Sequence, residues 1–173
     1  DLGCGDGRHL AEIASGFERI TGVDFAPELI ALAQRKLEAA GTEAQLQLHA
    51  ADILEFHTPE QFDLILLSGI TPGLDDDQLG QLLHKIAGLA HARSRLLIRT
   101  SIALDKRIDL VNFFSHELGS TYTAYYRTQA QTIEDVHRAG WTLCEAVPLY
   151  QHRPDTAVWW FEFARTPDDA PIA

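Results

Sequence analysis

The chain has 173 residues, a hydrophobic fraction of 46%, a charged fraction of 23% and a formal net charge of −11. That length suits one domain with a buried core, and the negative charge repels phosphate backbones, which argues against nucleic acid as the main partner. No apolar run reaches the roughly 20 residues that cross a bilayer, no signal-peptide pattern is visible, and Cys4 and Cys144 lack metal or disulfide spacing, so a cytoplasmic setting is the simplest reading.

The opening stretch, DLGCGDG, places Gly3, Gly5 and Gly7 between a strand stub and an amphipathic run, RHLAEIASG, whose Leu10, Ile13 and Ala14 recur at helical spacing. RITGVDF reads as a short strand ending at Asp24. APELIALAQRKLEAAG reads as a helix with Pro27 early, a stripe of Leu29, Leu32, Ala33 and Leu37, and Gly41 as its stop. AQLQLHAAD alternates as a strand ending at Asp52, and FDLILLSG is the continuous apolar run of a central parallel strand.

DDDQLGQLLHKIAGLA follows as a helix, with Asp75, Asp76 and Asp77 where the helix dipole favours acids. SRLLIRTSI is another strand. Residues 104–118 read as helical and 119–128 as irregular, and TIEDVHRAG as a short helix capped by Thr132 and stopped by Gly140. WTLCEAVPLY and AVWWFEFAR, joined by QHRPDT, form a C-terminal antiparallel hairpin that adds to one sheet edge. The expected domain spans residues 1–165, with 166–173 as a frayed tail. The absence of methionine and a first residue already at a strand end point to a missing N-terminal part.

Alternating strands and helices predict an α/β fold with a doubly wound, mostly parallel sheet. In such sheets ligands bind at the carboxyl ends of the strands. Those positions are Asp1 to Gly7, Asp24, Asp52 and Ser68, and three of the four carry a carboxylate. The glycines run G-x-G-x-G, with Arg8 where the dinucleotide fingerprint needs its third glycine. Acids at Asp1 and Asp6 suit a ligand bearing ammonium or sulfonium charge and hydroxyls, without phosphate.

DLGCGDG, GVDFAPELI, AADILEF and FDLILLSG together resemble the class I S-adenosylmethionine-dependent methyltransferases, over residues 1 to about 101 and more loosely beyond. The resemblance implies a Rossmann-like sheet and S-adenosylmethionine as cofactor. It implies that Asp1 takes the ammonium of the methionine part, and that Gly3 and Gly5 let the backbone approach the ligand. Asp24 would bind both ribose hydroxyls, and Phe25 would lie against the adenine unless it is plain core. Asp52 would accept from the adenine amino group, with the Ile53 N–H on a ring nitrogen. Ser68, with Gly69, would form the floor near the methionine part.

The acceptor is less legible. SGITPG stands where amine methylases of nucleic acids and glutamine commonly carry an N-P-P-Y-like motif, and neither cysteine sits in the context of a nucleophile. A small-molecule acceptor is therefore the leading expectation. The segment SHELGSTYTAYYRT supplies the candidate catalytic residues: His116 as a base, Tyr126 with its neighbours Tyr122 and Tyr125, and Arg127 as a fixed charge. The plainer alternative is a tyrosine-rich loop packing on the sheet, with His116 on a solvated helix face. Trp141, Trp159, Trp160 and Phe161 read as hairpin core. The eight histidines show no ligand pattern, and no metal is expected. The competing functions are a protein or RNA methyltransferase and a non-catalytic module that binds the cofactor or its demethylated product.

Overall fold

The computed structural model describes residues 1–116, 119–151 and 153–166. It divides into two compact units, one of Asp1–Pro59 with Leu66–Ser68 and one of Glu60–Ile65 with the chain from Gly69 onward.

In the first unit α1 (Arg8–Ile13), β1 (Arg19–Asp24), α2 (Pro27–Ala39) and β2 (Gln45–Ala50) follow one another. β1 and β2 pair in parallel from Arg19↔Gln45 to Asp24↔Ala50. The opening stub is a strand fragment bonded on both sides. Leu2 makes a parallel bridge with Val23, the Val23 N–H donates to Asp1 O at 2.9 Å, and the Leu2 N–H donates to Leu66 O at 3.0 Å. Leu66–Ser68 is the carboxyl end of β3 (Phe62–Ser68). The ends of the stub, β1 and β3 are thus brought side by side, with Asp52 just past β2.

The core of this unit is Cys4, Leu10, Ala14, Ile20 and Leu37. α2 starts with Pro27 in its first turn, where a missing N–H costs nothing. It buries Ala33 and Leu37 completely, whereas Leu32 of the expected stripe is exposed and Ile30 packs on the core instead.

The second unit holds a sheet in the order β3-β4-β8-β7, with β4 at Ala90–Ala103, β7 at Trp141–Gln151 and β8 at Thr156–Arg165. β8 is antiparallel to both neighbours, so the C-terminal hairpin is present and β7 takes the edge position. The architecture is α/β with mixed sheets: β1–β2 is parallel, while β4–β8 and β7–β8 are antiparallel. Trp141, Phe161 and Phe163 are fully buried, and Trp159, Phe161 and Phe163 stack in sequence along β8. α3 (Asp76–Gly88) starts at Asp75 with a capping box to Gln78, so the acidic run is helix N-terminal charge.

Three expectations are corrected. Residues 104–116 are not helical, and 119–128 are not irregular. They carry β5 (Ile108–Ser115) and β6 (Ser120–Tyr126), an antiparallel pair with a bulge between Leu110 and Phe113. Glu117 and Leu118 lie outside the described residues, as do His152 and residues 167–173 of the expected tail. The last helix, α4 (Gln129–Arg138), begins three residues before Thr132. Its cap is Thr128, in a second capping box with Gln131, and Thr132 instead donates its hydroxyl to Thr128 O. Gly140, at φ 83°, ends it as expected.

Candidate functional site

The strand-end residues of the first unit gather around the glycine loop. Gly3, Gly5 and Gly7 have φ of 82°, 54° and 72°, in the left-handed region that side chains disfavour. Their amides are tied to the sheet: the Gly3 and Cys4 N–H groups both donate to Val23 O, at 2.8 and 3.0 Å. The Gly5 N–H donates to Asp24 Oδ2 at 2.8 Å, and the Ala26 N–H donates to Asp24 Oδ1 at 3.0 Å. Asp24 is buried at 6% exposure and uses one lone pair of each oxygen to hold the loop and the start of α2. A carboxylate accepts about four hydrogen bonds, so acceptor capacity remains on both oxygens.

Asp1 Oδ1 is buried and accepts no hydrogen bond among the described residues. An anionic oxygen away from water without a partner is costly, and it marks a place for a cationic donor. Phe25, next to Asp24, is 79% exposed, which excludes the core role and leaves an aromatic face open beside the acid. Asp52 is exposed; its Oδ1 accepts from the Leu54 N–H at 2.8 Å, and its carbonyl accepts from the Glu55 and Phe56 N–H groups, a tight turn that carries Ile53. Ser68, half-buried, closes the group at the end of β3. All eight expected cofactor residues therefore lie within one compact unit.

The candidate catalytic residues do not form one cluster. His116 is exposed in the turn after β5, its ring edge-to-face with Phe114 at 5.2 Å, and not on a helix. Tyr126 ends β6 opposite Ile108, whereas Ser120 faces Ser115 at the far end of the same pair. Six strand steps separate Tyr126 from that end, which at about 3.3 Å each is roughly 20 Å. The half-buried Tyr126 hydroxyl is pushed up from its ordinary value by burial first and then by Tyr122, so it stays protonated and can donate.

Arg127 is only 4% exposed, and its guanidinium is spent on structure. It donates to Thr71 O at 3.3 Å, to Leu74 O at 3.1 Å and to Asp76 Oδ1 at 2.6 Å, and it lies 3.6 Å from Asp135. Arg107 completes the network from the start of β5, pairing with Asp76 at 2.8 Å and Asp109 at 2.7 Å. Arg127 thus clamps the segment after β3 to the N-terminal end of α4, and the fixed charge expected there is engaged by these partners.

A family model described as a methyltransferase domain matches residues 1–92, more than half of the chain. The chain belongs to that family. Solved methyltransferases share its fold. An S-adenosylmethionine-dependent methyltransferase from Methanosarcina mazei superposes with a TM-score of 0.78 at 13% identity, over 97% of this chain and 92% of that one. One from Clostridium acetobutylicum gives 0.75 at 14%, over 96% and 83%. The Burkholderia thailandensis 1,6-didemethyltoxoflavin-N1-methyltransferase, with bound 1,6-didemethyltoxoflavin and S-adenosylhomocysteine, gives 0.75 at 22%, over 96% and 70%. No curated protein matches the chain. No helix among the described residues is long and apolar enough to cross a membrane.

Sequence reasoning missed three features of this methyltransferase domain. Gly7 takes the close-packing role sought at Arg8: a Cβ there would lie 2.7 Å from Ala33 Cβ and 3.0 Å from its Cα, so α1 can approach α2 only without a side chain. Gly22 is equally confined, between Leu48, Leu10 and Cys4. The third is a charged contact from α2 to the loop, in which Lys36 Nζ donates to Asp6 Oδ2 at 2.6 Å. The i, i+3 spacing of Ala33 and Lys36 is the signal that would have found it, because it puts both on one helix face.

Proposed function

We propose that the protein transfers a methyl group from S-adenosylmethionine to a small-molecule acceptor. The observation that carries the cofactor assignment is Asp1 Oδ1, an anionic oxygen buried without a partner at the end of the loop stub. The ammonium of a bound amino-acid nucleoside supplies the missing donors. The remaining donor set fits the same ligand: spare acceptor capacity on Asp24 for two ribose hydroxyls, an open Phe25 ring for adenine, and Asp52 with the Ile53 N–H for the adenine edge. No acidic or basic group need act on phosphate, because this ligand has none. The fold that accompanies this reading is the doubly wound, mostly parallel Rossmann-like sheet, with the C-terminal hairpin as its antiparallel addition.

Bound at this site, the cofactor would supply an electrophilic methyl on a sulfonium, whose carbon–sulfur bond breaks as the acceptor's new bond forms. The chain contributes binding and orientation. Asp1 and Asp24 fix the two ends of the cofactor, and the left-handed glycines let the backbone come close without a Cβ in the way. The Cys4 thiol, pushed up to about 11 mainly by burial, is protonated near neutral pH and is not a nucleophile. On the acceptor side Tyr126 is proposed as a hydrogen-bond donor, while His116 at the far end of the hairpin and the structurally committed Arg127 are not assigned to the same step.

A small acceptor is favoured by the net charge of −11, which works against polyanions. The toxoflavin-precursor enzyme among the structural neighbours gives that class a precedent on the same fold. The test is methyl-labelled S-adenosylmethionine with a panel of small hydroxylated and nitrogen heterocyclic compounds, alongside bulk RNA and protein. Label in a small molecule supports the proposal; label only in RNA or protein overturns it.

A further inference from the structure

Asp6 sits between two glycines in left-handed conformation, Gly5 at φ 54° and Gly7 at φ 72°. Glycine explores more backbone space than any other residue, so local preference does not hold Asp6 in place. Tertiary contacts must, and two come from one face of α2. Ala33 abuts Gly7 at the distance that forbids a Cβ. Three residues on, Lys36 Nζ donates to Asp6 Oδ2 at 2.6 Å. Arg8 assists from the other side, with its backbone N–H 3.3 Å and its Nε 3.2 Å from Asp6 Oδ1. Lys36 and Arg8 together hold the Asp6 carboxyl well below the usual carboxylate range. Lys36 itself lies in the last turn of α2, where the helix dipole also favours a cation.

The position matters because of the neighbouring residue. The Gly5 N–H is the donor to Asp24 Oδ2. A restraint on Asp6 is therefore one peptide away from the carboxylate proposed for the ribose. We infer that Lys36 is a positioning residue for the cofactor site, acting through Asp6 to hold the glycine loop in its binding conformation before the cofactor arrives. This rests on the cofactor reading above. Without Lys36 the glycine-flanked segment gains freedom that binding must remove, and affinity falls by that amount. The pair is partly exposed and Arg8 retains part of the restraint, so the loss is modest, about three- to fivefold in Kd.

The test is calorimetric titration of the full chain with S-adenosylhomocysteine, for the parent protein, Lys36→Met, Lys36→Arg, Asp6→Asn and the double variant Lys36→Met/Asp6→Asn, each checked for an unchanged near-ultraviolet spectrum. Expected are a weaker Kd for Lys36→Met, recovery by Lys36→Arg, and no further loss from Lys36→Met once Asp6 is Asn. A purely structural pair lowers the melting temperature but leaves Kd at the parent value, and that result overturns the proposal. So does an equal effect of Lys36→Met in the Asp6→Asn background, which means that Lys36 meets the ligand directly. If the parent protein itself binds no S-adenosylhomocysteine, the cofactor reading fails and the inference falls with it.

Discussion

The Gly5 N–H and Asp24 Oδ2 are 2.8 Å apart, and through this bond the acid at the end of β1 holds the glycine loop that follows the opening strand stub. Loop and acid are one device, joined across nineteen residues of sequence. The carboxylate proposed for the ribose is also the acceptor that shapes the loop.

Gly5 and Gly7 should therefore respond differently to the same substitution. Gly7→Ala places a methyl 2.7 Å from Ala33 Cβ in left-handed backbone, and is expected to cost about 2 kcal/mol or more of stability. Gly5→Ala meets no atom within 4 Å, so it should cost only the backbone strain, about 1 kcal/mol, while weakening S-adenosylhomocysteine binding. Urea unfolding and calorimetry on both variants check the split. Equal losses of stability would show that the Ala33 approach does not matter.

Removing the Arg127 guanidinium should damage the fold first. Arg127→Met removes the guanidinium bonds to the Thr71 and Leu74 carbonyls and one of the two arginine partners of Asp76, a loss of about 1–3 kcal/mol. Lower stability with unchanged S-adenosylhomocysteine affinity is the expected pattern in urea unfolding and titration. Full stability with lost methyl transfer would restore a catalytic role.

Acid should destabilise the protein through two carboxylates. Asp6 is held below its ordinary value of 3.8 by Lys36 first and then Arg8, and Asp76 by Arg107 and Arg127. A carboxylate whose folded pKa is depressed contributes stability above its unfolded value, and that contribution is lost as pH falls below it toward the folded value. Burial raises Asp135, which acts in the opposite sense. Melting temperature should thus be insensitive to the Asp6 pair above about pH 4 and decline below it, with a shallower decline for Asp6→Asn. An identical decline in that variant would contradict the assignment.

The elements that sequence patterns revealed are those with a buried face or a local stop signal. α2 and α3 carry apolar stripes and start at Pro27 and Asp75, and the β7–β8 pair buries alternate aromatics. The hairpin β5–β6 escaped because nothing enforces its alternation. Val111, Phe113 and Phe114 are all exposed, and the bulge with Asn112 at φ 52° throws the apolar residues out of period two, so that they mimic helical spacing. The residues proposed for the cofactor were legible because they fall in four groups, each at or just past the carboxyl end of a strand. The Arg127 clamp was not, since its hydrogen-bond partners at Thr71, Leu74 and Asp76 lie 51 to 56 residues away in sequence.

The central claim is that the strand-end acids of the first unit bind S-adenosylmethionine, and calorimetric titration with S-adenosylhomocysteine tests it most directly, using the parent protein, Asp1→Asn and Asp24→Ala with NAD as control ligand. Binding of S-adenosylhomocysteine but not NAD, weakened at least tenfold by Asp1→Asn and abolished by Asp24→Ala in folded protein, is the predicted result. Unchanged affinity in both variants, or no binding by the folded parent, would contradict it.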